Sequence, residues 1–563
     1  MSNKPQFDAI VIGSGISGGW AAKEFCDKGM KTLVLERGAD VKHIKDYPTA
    51  NLDPWELKHR GALDVATAQA NPIVSKCYAF KEDAQHFFTK DAVQPYIQEK
   101  PFDWIRGYQV GGKSLVWARQ TQRWSALDFE APKRFGYAVD WPIRYDDLAP
   151  WYAYVEKFVG ISGNKDNHPG MPDGEFLPPW ELNVVEKDIQ RKIKNHYTDR
   201  AVIAGRCAHI TKPEPIHIEQ GRTQCQARSL CQRGCPFGGY FSSNASTLPW
   251  AQRTGNLTLK SNAVVQSIIY DVHKDKAVGV RVMHAETKEI TEYYARVIFV
   301  NASTLGTNLI LLNSTSKRFP KGLGNDSGVL GKYIAFHNYL GTISGDMPGY
   351  EDSYYYGRRP TNPIIPNFRN LQEQDTDFLG GYASFFHASR ASGVPNDGAS
   401  IGAAYKDSLA DVGPWRVGMM MQGETIPIAE NHVRLSEDLK DPYDMPQLIT
   451  SVAYQENDYK LRDDFFKQAQ EMLDAVGVKN ISTYDSQQNP GLDIHEMGGV
   501  RMGHDPETSL LNRFNQLHSC KNVFVTDGAC MTSTGTQNPS LTFMALTARA
   551  VDYAVSEMQK GNL

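Results

Sequence analysis

Residues 7–18 read FDAIVIGSGISG, an apolar β-rich run that passes without a break into Gly13-Ser14-Gly15-Ile16-Ser17-Gly18. A helical stretch, GWAAKEFCDKGM, follows, and then a second strand, Lys31–Leu35, that ends at Glu36. Strand, GxGxxG, helix, strand, acidic residue is the order of a dinucleotide-binding βαβ unit. In such a unit Gly13 makes the tight turn, Gly15 lets the backbone approach a pyrophosphate, and Gly18 lets helix and strand pack closely. Helix amides near Gly15 and Ser17 then face the phosphates, where the helix dipole favours negative charge. Glu36, 21 residues after Gly15, is placed to accept hydrogen bonds from a ribose. The fingerprint alone does not separate FAD from NAD.

Composition narrows the class. The 563 residues are 41% hydrophobic and 22% charged, the balance of a soluble globular chain with room for several domains. A formal net charge of −4 gives no electrostatic case for nucleic acid or an anionic membrane. No uninterrupted apolar run reaches the roughly 18 residues of a membrane span. The start, MSNKPQFDAIVIG, enters its first strand so early that no signal peptide is expected. Eight cysteines do not make a disulfide scaffold, and no CxxCH motif offers covalent haem attachment. Yet three of the eight fall within residues 225–236, CQARSLCQRGCP.

Further blocks lie outside the fingerprint: GYQVGGKSLVW at 107–117, VIFVNASTLGTNLILL at 297–312, and the long segment from His495 that begins HEMGGVRMG and contains VTDGAC and GTQNPSL. Weaker ones are SGVLGKYIAFHN at 327–338 and NHVRLSEDLKDPYDMP at 431–446. With these the chain resembles the glucose–methanol–choline (GMC) family of FAD oxidoreductases, most of all the bacterial glucoside 3-dehydrogenase catalytic subunits, with pyranose oxidases as relatives. The resemblance implies an α/β fold: a Rossmann-like FAD-binding domain with a discontinuous α+β substrate domain built on an antiparallel sheet. The FAD domain is expected over 1–45, 100–125, 205–340 and 485–563, including the cysteine segment 225–236. Residues 46–99 form a connecting or lid segment, and 126–204 with 341–484 form the substrate domain. Alternating aromatic and polar residues in SYYYGRRP, GGYASFFHASR and WRVGMMMQGETIPI predict the antiparallel sheet, and Lys460–Val476 reads as an amphipathic helix.

The resemblance also implies a site. Its FAD contacts fall on Gly13, Gly15, Ser17, Gly18, Glu36, Arg37, Gly111, Gly112, Ser114, Val264, Asp527, Gly528 and Asn538. Asp527-Gly528 follows a short apolar run, NVFVT, where ribityl hydroxyls would pass, and a backbone group near Val264 meets the adenine. Gly111-Gly112 lets backbone lie against the isoalloxazine, and Asn538-Pro539 opens a helix, Ser540–Ala554, whose N-terminus faces the cofactor. Flavin oxidation of an alcohol removes a hydride from carbon and a proton from oxygen, so a base must reach the hydroxyl. The resemblance assigns that base to His495 and a hydroxyl-holding role to Asn538. His337 and His504 read as structural. Some relatives carry a flavin-linking histidine where this chain has Val116, so non-covalent FAD is expected.

Cys225, Cys231 and Cys235 resemble a C-x5-C-x3-C-P segment that holds a [3Fe–4S] cluster in membrane-associated sugar dehydrogenases. Cys207 would complete a [4Fe–4S] set; zinc and plain thiols are the competing readings. The activity so implied is a sugar dehydrogenase oxidising a secondary ring hydroxyl, at C3 of a glucoside or pyranose, by hydride transfer to flavin N5. Electrons would pass through the iron–sulfur cluster to an external cytochrome c. A small subunit carrying an export signal is an expected partner, with folding in the cytoplasm and export to the periplasm alongside it, or a cytoplasmic location if no such partner exists. The alternatives are an O2-using pyranose or C-glycoside 3-oxidase and a non-catalytic flavoprotein subunit of an electron-transfer complex.

Overall fold

The structure is a computed structural model that describes residues 6–353, 360–392, 401–408 and 412–563. In them sixteen strands build three sheets. The first contains β1 (Phe7–Ile12), β2 (Thr32–Leu35), β4 (Leu257–Lys260), β5 (Ala263–Asp271), β6 (Lys276–His284), β7 (Ile290–Val300) and β16 (Val523–Val525). Its order is β4-β2-β1-β7-β6-β5, with β16 also on β7. The 11 residues of β7 serve two roles. Residues 290–294 pair antiparallel with β6, while 295–300 run parallel to β1 and 298–300 parallel to β16.

The core of this sheet is buried on both faces, which is why β1 and β2 are continuous apolar runs rather than alternating ones. The helix Ile16–Asp27 crosses one face, where Phe25 meets Phe299 edge-on at 5.0 Å. The C-terminal helix Ser540–Gln559 packs beside it and runs five residues past its expected end. The parallel strands β1, β2, β7 and β16 all finish at one edge, at Ile12, Leu35, Val300 and Val525. Loops at the carboxyl ends of parallel strands are where such sheets bind ligands.

Gly13 shows how tightly that edge is built. Its φ is +96°, and a Cβ there would lie 2.3 Å from the carbonyl oxygen of Asn301. Gly13→Ala is therefore expected to cost at least about 2 kcal/mol, from left-handed backbone strain alone. Thermal unfolding and flavin content of the purified variant measure this; an unchanged melting temperature with full flavin would refute it.

The second sheet contains β9 (Gly341–Met347), β10 (Ile364–Ile365), β11 (Tyr382–Ser392), β12 (Val412–Glu424) and β15 (Lys479–Asp485), in the order β10-β11-β12-β9-β15. Its pairs are all antiparallel, including the two-residue β8 (His337–Asn338) on β12. The runs GGYASFFHASR and WRVGMMMQGETIPI supply β11 and β12, whereas residues 354–359 of SYYYGRRP lie outside the described residues. The helix Glu456–Val476 covers this sheet through Leu461, Phe465, Ala469 and Met472. It begins a turn before the expected Lys460 because Asp458 accepts the backbone N–H of Gln455 and caps it. It ends at Gly477, whose left-handed φ of +94° closes the last turn. A third, small sheet joins β3 (Ile97–Gln98) to β14 (Pro446–Ser451) and β13 (His432–Lys440).

Candidate active site

A cavity of about 730 Å³ opens at the carboxyl edge of the first sheet and extends beneath the second. At one end, Gly13, Gly15 and Ser17 line it, together with the start of the first helix. Gly15 is that helix's N-cap and no side chain caps it, so its leading amides remain free for an anion. Gly18 does not line the cavity. A Cβ on it would sit 1.9 Å from the carbonyl oxygen of Gly13, so this glycine packs helix against turn.

Glu36 lines the cavity while accepting from Ser14 N–H (3.1 Å), Ser14 Oγ–H (2.6 Å) and Gly38 N–H (3.0 Å). Burial pushes its carboxyl up, opposed by those donors. Ser14 Oγ in turn accepts from Gly111 N–H at 2.9 Å, joining the fingerprint, the acid and the double-glycine loop. Nothing in the residue type at position 14 of GxGxxG announced that role. Arg37 lines the same region, stacked between Tyr108 and Tyr443 at 4.5 and 4.8 Å and 3.5 Å from Asp441. Val264 lines it from β5.

Against that same turn, Gly112 lines the cavity with φ +53°, where a Cβ would lie 3.2 Å from Gly15 Cα. Gly111 stands behind the lining, and a Cβ on it would overlap Asn244 Oδ1 at 1.6 Å. Ser114 spends its hydroxyl inside the loop, donating to Gly111 O (2.6 Å) and accepting from Ser243 N–H (3.0 Å). Val116 faces the cavity. Asp527 and Gly528 line the wall; Asp527 accepts from Thr307 Oγ–H and Ala529 N–H, and burial pushes its carboxyl up to about 6. Asn538, Pro539 and Ser540 bring in the N-terminus of the C-terminal helix. Two helix N-termini without side-chain caps and a buried carboxylate at one cavity fit a dinucleotide, with its pyrophosphate at the first of them.

His495 and Asn538, 43 positions apart in sequence, meet here with Asn538 Nδ2 3.4 Å from His495 Nε2. On its far side His495 Nδ1 lies 2.9 Å from His337 Nδ1, and His337 Nε2 lies 3.0 Å from the carbonyl oxygen of Gly535. A carbonyl only accepts, so His337 Nε2 carries the proton and its Nδ1 is a lone pair. His495 must then donate from Nδ1, which leaves Nε2 bare and directed at Asn538 and the cavity. Burial holds His495 well below the ordinary imidazole value, with His337 and Lys113 adding to the effect, so it is neutral at pH 7. Asn538 Oδ1 is buried and unpartnered.

The fold fixes this pair through backbone. Ala335 and Met497 exchange two hydrogen bonds (2.9 and 2.8 Å), and Asp493 accepts the amides of both His337 (3.0 Å) and His495 (3.1 Å). Burial, and then the charge of Glu496, push Asp493 up to about 7. His337, read from sequence as structural, thus sets the tautomer of His495; His504 instead lies exposed, 3.8 Å from Asp140. His337→Ala is expected to slow flavin reduction about tenfold, the worth of one buried hydrogen bond. Because His337 accepts from His495 Nδ1, its loss should also shift the acid limb of the pH–rate profile. An unmoved limb would assign His337 to stability alone.

Cys225, Cys231 and Cys235 line one small pocket with His209, Phe237 and Tyr240. Cys231 Sγ is 3.7 Å from His209 Nε2. The loop is pinned by Arg228 to Asn51 and by Arg233 to Asp83 at 2.7 Å. Gly234 (φ +82°) closes on Tyr47, whose ring would be 2.6 Å from a Cβ there. Cys207 lies apart from this lining: its Sγ is 3.3 Å from Ser162 Oγ, and burial pushes the thiol up to about 12. Among the described residues no group of three or more His, Cys, Asp or Glu side chains is placed to hold a metal ion.

The GMC oxidoreductase family matches residues 7–337 with its N-terminal part and 427–547 with its C-terminal part. The chain is 27% identical to 2-methyl-1,2-propanediol dehydrogenase of Mycolicibacterium austroafricanum, over 97% of this chain and 95% of that one. It is 24% identical to the fructose dehydrogenase large subunit of Gluconobacter japonicus over 100% of both. The gluconate 2-dehydrogenase flavoprotein of Pantoea cypripedii is 23% identical, covering 96% and 92%. Among solved structures, Aspergillus oryzae RIB40 formate oxidase superposes over 100% of both chains with TM-score 0.61 at 10% identity, a likeness of fold.

Proposed function

The chain belongs to the GMC oxidoreductase family, and from that premise we propose that it is an FAD-dependent sugar dehydrogenase acting on a secondary ring hydroxyl. The observation that carries this reading is the bare Nε2 of His495, 3.4 Å from the amide of Asn538, in the same cavity that the glycine turn and Glu36 line. FAD bound in that cavity supplies the two-electron acceptor. Gly15, Ser17 and Glu36 would hold its pyrophosphate and ribose, and the helix at Ser540 would present its amides to the ring system. His495 Nε2 takes the hydroxyl proton, and Asn538 orients the oxygen that loses it. Val116 has no group able to bond the flavin, so acid precipitation is expected to release all the flavin into the supernatant. Yellow colour left in the pellet would refute non-covalent binding.

In its narrowest form the substrate is a glucoside or pyranose oxidised at C3, to a 3-keto sugar. Dehydrogenase is favoured over oxidase by the three thiols at one pocket. Thiolates on one ion approach within about 4 Å of each other, from metal–sulfur bonds near 2.3 Å. Those holding a cluster bind different irons and stand farther apart, so the reading asks the three thiols to surround the pocket they share. A [3Fe–4S] cluster on Cys225, Cys231 and Cys235 supplies a one-electron relay. Its acceptor is a cytochrome c, and a small subunit accompanies the chain to the periplasm. Among the described residues no helix is long and apolar enough to cross a membrane.

The test is anaerobic bleaching of the flavin by a panel of glucosides and free sugars, with NMR of the product. A 3-keto product and ferricyanide- or cytochrome-dependent turnover support the reading; rapid O2 consumption without an added acceptor overturns the dehydrogenase assignment.

A further inference from the structure

Two arginines beside the thiol pocket are buried with no carboxylate partner. Arg222 is 1% exposed and Arg119 5%. Arg222 donates from Nε to Gly238 O (2.9 Å) and from Nη1 to Val159 O (2.8 Å) and Gln220 Oε1 (3.2 Å), while Nη2 has no partner. Gly238 itself is hydrogen-bonded to Cys235 O at 3.1 Å, so this guanidinium backs the cysteine loop. Arg119 is less satisfied still, since its buried Nε and Nη1 have no hydrogen-bond partner. Its backbone sits at φ +65°, a cost for a non-glycine residue. Its guanidinium carbon is 5.3 Å from the ring centroid of Tyr240, which lines the thiol pocket, and Arg119 itself lines the large cavity. It stands at the partition between the two chambers.

A guanidinium does not shed its proton, and burying one unpaired is strongly unfavourable. Of the arginines around the pocket, Arg233 has its carboxylate in Asp83 and the half-buried Arg228 bonds Asn51 and the carbonyl of Ala50; Arg119 and Arg222 are buried, and among the described residues neither has a carboxylate. The missing negative charge is supplied if the pocket holds an anion. We propose that Arg119 and Arg222 are the built-in countercharge of an anionic iron–sulfur centre on Cys225, Cys231 and Cys235, with Arg119 raising that centre's reduction potential from the partition it shares with the flavin cavity. This rests on the cluster reading above. The two electrons of a reduced flavin would cross one at a time, with the flavin's proton going to solvent, and each would add one negative charge to the pocket until it moved on. The electron leaves to an external one-electron acceptor. A fixed positive charge at the partition favours the reduced centre, so its removal lowers the potential.

The experiment is an EPR-monitored redox titration of the reconstituted holoprotein, with iron, sulfide and flavin counted per chain. Arg119→Gln is expected to make the one-electron equilibrium at least tenfold less favourable, a shift of about 59 mV to lower potential, with a smaller shift at the flavin. Arg119→Lys, which keeps the charge, should hold the wild-type potential. Loss of iron from Arg119→Gln but not from Arg119→Lys would also support the countercharge. An iron-loaded Arg119→Gln protein with unchanged cluster potential overturns it, as does a shift confined to the flavin. Loss of iron from both variants would assign Arg119 to shape instead of charge. A wild-type protein that takes up no iron overturns the cluster reading itself, and the countercharge with it.

Discussion

Replacing His495 by alanine is expected to leave FAD bound and to slow anaerobic bleaching of the flavin by sugar about 100- to 10,000-fold, the range for a general base. The two halves of this expectation come from different places. Retention follows because Gly13, Gly15, Ser17 and Glu36 line the cavity on bonds of their own, Glu36 to Ser14 and Gly38, and none of these bonds involves the imidazole. The rate loss follows because His495 Nε2 is the lone pair that the chain from Gly535 through His337 leaves free. Stopped-flow absorbance with a saturating sugar measures the rate, and the flavin spectrum of the resting protein measures occupancy. The pH profile gives a second reading. A base must be unprotonated to act, and burial holds this imidazole well below its ordinary value. Wild-type reduction should therefore stay level from neutral pH down past 6.5 and fall only in more acid solution, as His495 protonates. Bleaching unchanged in the alanine variant would remove His495 from the mechanism.

What could be read from sequence follows the range of the interactions. The fingerprint is local: strand, turn, helix and acid succeed one another within 30 residues, and each element forms where its residue types favour it. The second sheet was legible through the alternation of β11 and β12, a short-range pattern. The His495–Asn538 pair was legible only through family resemblance, since nothing local brings together residues 43 positions apart. Its tautomer was not legible at all. It depends on His337, 158 positions away, which β8 delivers through its pairing with β12. The same limit applies to the glycines. Gly18 and Gly111 belong to motifs that bind cofactor, yet each is required by a neighbour, Gly13 O in one case and Asn244 in the other. The cysteine spacing was plain in sequence, but Arg119 and Arg222 carried no local signal that they back the same pocket.

Cys231→Ser should separate the two half-reactions of the enzyme. Cys231 lines the thiol pocket beside His209 and is not among the residues lining the flavin cavity, so sugar oxidation has no direct use for its sulfur. The serine is close in size, and its loop remains pinned by Arg228, Arg233 and the turn at Gly234. Folding and flavin binding are therefore expected to persist, with anaerobic bleaching near the wild-type rate. On the proposed cluster a hydroxyl is a poor substitute for thiolate on iron, so the iron content expected of that reading, about three atoms per flavin, should fall to below one. Turnover with cytochrome c should fall to the rate at which reduced flavin reaches the acceptor directly, while a small diffusible dye that enters the flavin cavity keeps most of its rate. This split is what distinguishes a relay from a structural loop. If Cys231 only packs, the variant loses stability or nothing, and the cytochrome and dye rates change together. If cytochrome turnover survives at full rate in iron-free protein, the electrons leave from the flavin itself, and the three thiols have no part in their path.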